Sequence, residues 1–72
     1  MSSEINKESA SHLLHHWIEH NESHSDSFRE RAQQIAKVSE KAARDINEAA
    51  ALMDRCTEML KKAVRDLQKE ER

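Results

Sequence analysis

The chain has 72 residues with no glycine, no proline and a single cysteine, and its 12 basic and 14 acidic side chains leave a formal charge of -2. At that length a second domain is not expected, the lone Cys56 leaves no internal disulfide, and the missing turn formers argue against sheet. Interspersed charge leaves no basic footprint for nucleic acid, and no apolar run approaches the ~20 residues of a membrane span, so the expectation is a cytoplasmic protein with neither nucleic acid nor membrane as partner.

Residues 1–7 are polar and offer little to bury, so this end is expected to fray. From residue 8 onward an apolar stripe recurs at alternating steps of three and four, which predicts a first helix over about residues 8–37. Its core candidates are Leu14, Trp17, Ile18, Asn21, Phe28 and Ile35. Asn21 is the polar member of the series, and a buried Asn can fix register at some cost in stability.

The same helix carries all five histidines. His12, His16, His20 and His24 follow one another at intervals of four, so on a helix they form one slowly rotating row with His15 beside it. Any adjacent two can grip a metal as an i, i+4 chelate, but zinc takes three or four protein ligands. A hairpin turning near residue 39 sets His20 and His24 level with residues 53–58, so His16, His20, His24 and Cys56 are the candidate ligands. The metal implied is a divalent one suited to imidazole: nickel, zinc or cobalt. A ferritin-like di-iron centre is rejected, since no glutamate has a histidine three residues later.

Where the chain reverses is less plainly written. One unbroken helix would run roughly 95 Å at 1.5 Å per residue. Two breaks present themselves: residues 23–27, where Ser27 and Glu30 resemble a capping box, and residues 38–40, where Ser39 can cap a second helix. The latter break divides the chain evenly and is preferred. The second helix is then expected over about residues 40–70, with Ile46, Met53, Leu60 and Leu67 in its core, Ala42, Ala49, Cys56 and Ala63 in the adjoining column, and Ala43, Ala50 and Val64 flanking.

These elements predict an all-α antiparallel helical hairpin. Its apolar face is wider than two helices need, and at 36% hydrophobic residues the core is thin, so two hairpins are expected to dimerise into a four-helix bundle.

The run His16-Trp17-Ile18-Glu19-His20-Asn21-Glu22-Ser23-His24, with Phe28-Arg29-Glu30 three residues beyond it, resembles a small family of uncharacterised microbial helical domains with a His-Trp-Ile-Glu-His-Asn-Glu-x-His signature. The likeness is close over residues 14–32. It implies a helical hairpin and a functional role for Trp17, His20, Asn21 and His24, and it implies no particular activity. In that family a glycine often marks the turn, whereas this chain has Lys37-Val38-Ser39-Glu40 there.

Without loops, glycine-built phosphate cradles or a nucleophile set beside a base, an enzyme is not expected. The reading is a small self-associating interaction or structural module, a homodimer able to dock a protein partner. The alternative is a transition-metal-binding accessory protein that uses the histidine row.

Overall fold

Helix formation begins with a reciprocal cap. In the computed structural model, which describes residues 5–69, Asn6 is extended (φ -110°, ψ -179°) and its Oδ1 accepts from the Ser9 N–H at 2.8 Å. The Asn6 N–H in turn donates to Ser9 Oγ at 3.0 Å. Two of the donors that every helix start leaves orphaned are satisfied this way, and α1 then runs over Lys7–Ile35. Of the segment expected to fray, residues 1–4 lie outside the described residues, and Lys7 already belongs to α1.

The reversal occupies four residues and needs no left-handed backbone. Lys37 N–H donates to the Gln34 carbonyl at 3.2 Å, and the Val38 and Ser39 N–H groups both reach the Ile35 carbonyl at 2.8 Å. Ala36 keeps right-handed helical angles, and no described residue has positive φ. A tightened last turn therefore does what a C-terminal glycine does elsewhere, which is how a glycine-free chain makes a hairpin. Ser39 ends the turn and caps the second helix: its Oγ accepts from Ala42 N–H at 3.1 Å, and its carbonyl takes the first helical bond from Ala43. Helix α2 spans Glu40–Lys69. The first helix thus stops two residues short of the expected 37, because residues 36–38 are spent on the turn.

The two helices pack antiparallel as the expected all-α hairpin, and no strand occurs among the described residues. Their contact line is built of small side chains. On α1 it runs Ile18, Ser25, Ala32, and on α2 Ala43, Ala50, Thr57, Val64, seven residues apart throughout. Ala50 is 0% exposed, and the largest completely enclosed side chain is Ser25. Thr57 satisfies its buried hydroxyl on the Met53 carbonyl at 2.9 Å, the back-bond open to a helical threonine. On α2 this line passes through the column expected to flank the core. The residues expected at its centre, Ile46, Met53, Leu60 and Leu67, are only half-buried.

One edge of the contact is clamped by a polar network. Arg29 donates from Nη1 to Ser25 Oγ and from Nη2 to Asp54 Oδ2, both at 2.6 Å, while Ser25 Oγ donates to Asp54 Oδ1 at 2.6 Å. About two turns away along the same edge, Lys61 lies 3.4 Å from Glu22 and 3.5 Å from Glu58. The hydrogen bonds from Arg29, then from Ser25, hold the Asp54 carboxyl below its ordinary 3.8, outweighing desolvation. Bonding to Glu22 and then the charge of Glu58 raise Lys61 above its ordinary 10.5.

The resulting body is a slab of 53 × 26 × 13 Å. Its radius of gyration, 16.4 Å, compares with about 11 Å for a compact fold of this length.

This packing can be tested from both sides of the contact. Ala50→Leu forces three extra carbons into a closed contact and is expected to destabilise the hairpin by about 1–3 kcal/mol in denaturant titration, whereas the exposed Ala51→Leu stays near wild type. Because the folded pKa of Asp54 lies below its unfolded value, the clamp's contribution is present above pH 3.8 and lost as pH falls through the lower folded value. The stability gap between wild type and Asp54→Asn should therefore be full at neutral pH and close in acid-unfolding curves below that point.

Candidate functional site: an open apolar face edged by histidines

Helical geometry turns about 100° per residue, so the side chain just before each buried position stands a quarter turn from the contact line. On α1 those residues are Trp17, His24 and Arg31; on α2 they are Ala42, Ala49, Cys56 and Ala63. In an antiparallel pair both sets emerge on the same side of the slab. A cross-helix contact places them there: Asn21 Nδ2 donates to Cys56 Sγ at 3.5 Å. The residues just after the buried positions, among them Glu19, Asp26, Gln33, Arg44, Glu58 and Arg65, emerge on the opposite side, the side of the Arg29–Asp54 and Glu22–Lys61 pairs. The slab has one apolar and one charged face.

Most of the core candidates lie on the apolar face. Ile18 is buried. Leu14, Asn21, Phe28, Ile35, Ile46, Met53, Leu60 and Leu67 are half-buried between the helices and that face, and Trp17 is 45% exposed. Leu52 and Met59, at 58% and 66% exposure, extend the face along the outer edge of α2.

A shallow groove at the middle of this face is lined by His16, Trp17, His20, Asn21, His24, Cys56 and Leu60. All four candidate metal ligands are among them. The rings succeed one another up α1, with centroids 4.6 Å apart for His16 and His20, 6.0 Å for His20 and His24, and 6.3 Å for His24 and Phe28. His20 and His24 also border a second cleft, with Glu19 and Ser23. His12 and His15 lie apart, beside Leu67 at the open end of the hairpin. Among the described residues, no group of three or more His, Cys, Asp or Glu side chains is placed to hold a metal ion.

Sequence reasoning missed Ser25, Asp54 and Arg29 as a unit. Their types are unremarkable singly, and only a fixed register brings Asp54 beside Ser25.

These features define a class: an all-α helical hairpin with one face left open. The chain belongs to the family described as "Domain of unknown function (DUF8180)", whose model matches residues 10–67, a span containing the whole groove. It is also similar to an uncharacterized protein of Archaeoglobus fulgidus, 42% identical over 53 residues that make up 74% of this chain and 86% of that one. No solved structure matches. The kinship with a small uncharacterised domain family is thus established, and no helix of the described residues is long and apolar enough to cross a membrane.

The polar group in the middle of the apolar face yields a test. Asn21→Leu removes a half-buried amide whose partner is a weak sulfur acceptor, and is expected to raise stability by about 1 kcal/mol in thermal melts through added apolar burial.

Proposed function

We propose that the protein is a self-associating helical module, a homodimer in which two hairpins bury their apolar faces against each other as a four-helix bundle. The carrying observation is how much surface the single chain leaves open. On the apolar face Trp17 is 45% exposed, Leu52 58% and Met59 66%, beside half-buried Leu14, Phe28 and Leu60. A contiguous apolar face of that kind marks an interaction surface. Meanwhile the middle of the hairpin's own contact is made by serine, alanine and threonine, with Ile18 and Val64 the larger apolar side chains it encloses, and Trp17, Leu52 and Met59 stand outside it.

A second copy suits this face because the chain carries both halves of a complementary relief. α1 projects Trp17 and Phe28. α2 offers a trough of Ala42, Ala49, Cys56 and Ala63 between Ile46, Met53 and Leu60 on one side and Leu52 and Met59 on the other. A two-fold axis along the length of the slab lays each α1 on the partner's α2, ridge into trough, in both directions at once. The opposite face, with its paired charges, stays in water.

Sedimentation or light scattering is expected to give twice the chain mass. Trp17→Ala, which removes the largest side chain of the ridge, should weaken the dimer by at least about 30-fold, the scale of an aromatic anchor. A monomer at high micromolar concentration would refute this reading.

A further inference from the structure

His16, His20 and His24 are exposed, and their rings follow one another up to Phe28 at the rim of the open face. We infer that His20 and His24 of one chain, with Cys56 of a second copy, form a site for a divalent transition metal of the class that prefers imidazole and thiolate. The inference rests on the dimer proposed above.

The geometry of the pair supports it first. With metal–nitrogen bonds of about 2.0–2.1 Å, two imidazoles in a tetrahedral shell hold their ring centres roughly 5 Å apart. His20 and His24 stand at 6.0 Å and the preceding pair at 4.6 Å, so a side-chain adjustment of about 1 Å closes the chelate. Two nitrogens alone make a weak site, and within one chain no third donor is in reach.

The dimer supplies that donor. The Asn21–Cys56 contact sets Cys56 at the level of Asn21 along the slab, between the levels of His20 and His24. A two-fold axis along the slab preserves level, so the partner's Cys56 arrives at the height of this histidine pair while α1 settles on the partner's α2. His24 and Cys56 are, moreover, the residues that project straight from the face, one from each helix. Cys56 is exposed in the single chain. The third donor is therefore available only when two copies meet.

The chemistry balances simply. Each imidazole binds in its neutral form through one nitrogen, the thiol binds as thiolate and releases one proton to solvent, and water fills the fourth position. Two identical sites result, one per chain.

Zinc titrated calorimetrically into the untagged protein is the test, with dimer mass measured in chelator alongside. The expected result is one zinc per chain, with affinity at least about tenfold lower in Cys56→Ser and in the His20→Ala/His24→Ala double variant. All three positions are exposed, and circular dichroism checks that both variants remain helical. Mixing the two variants in equal amounts decides whether the site is shared. Half of the dimers then carry one complete site, so about one quarter of wild-type binding returns. No recovery on mixing, or wild-type affinity in either variant, overturns the site. A dimer in chelator that binds no zinc overturns it while leaving self-association intact; a monomer with and without zinc overturns both. A chain dimeric only with zinc supports the site and refutes metal-independent assembly.

Discussion

Everything distinctive about this hairpin stems from the close approach of its two helices along a line of small residues. Ser25 and Ala50 are so near that the serine hydroxyl lies 3.5 Å from the Ala50 carbonyl, a spacing that larger side chains would forbid. Ala32, Ala43 and Thr57 continue the line to either side. Such a contact gives abundant dispersion but little removal of apolar area from water, because alanine and serine have little to bury. Apart from Ile18 and Val64, the large side chains are displaced to the flanks, and on one flank they are half-buried or exposed.

The other flank explains why the close line has a single register. Small side chains interdigitate poorly, and an alanine seam alone would let one helix slide past the other by a turn or more. Slipping the Arg29–Ser25–Asp54 network would take the buried Ser25 hydroxyl away from Asp54, a cost that shifting an alanine contact does not carry. The Glu22–Lys61 pair repeats the constraint about two turns away. Charge therefore positions the helices on one side while apolar surface stays uncommitted on the other, and every buried polar side-chain atom among the described residues has a partner.

Much of this was legible in the residues, and the rest was not for a physical reason. An unbroken spacing of three and four announced helices, and Ser39 offered one of two starts for the second, preferred because it divides the chain evenly and found as its cap. The centre of the α2 contact was not legible. A hydrophobicity pattern gives weight to Ile46, Met53 and Leu60 and so places the core on them, whereas packing gave the centre to Ala43, Ala50 and Thr57, one column over. Periodicity locates the apolar face of a helix; it does not say whether that face meets the neighbour within the chain or a surface outside it. The clamp was equally hidden, because nothing in Asp54 by itself marks Ser25 as its partner 29 residues away. In the candidate site, the histidine spacing and its level with Cys56 were readable from the heptad and the turn, while the opening of that groove onto an uncovered face was not.

The same displacement bears on what the histidines can do. An imidazole row on the charged face would meet water and carboxylates, and each ring would behave as an isolated surface group. Here the row crosses the outer side of α1 and arrives, at His24, on the apolar face next to Phe28 and across from Cys56. A donor there keeps its lone pair near other soft donors and loses water when the face is covered, two conditions that strengthen coordination relative to an exposed pair. In the proposed dimer, covering the face and completing a ligand set are one event. The small-residue seam that draws the two helices together leaves His24 and Cys56 exposed on that face.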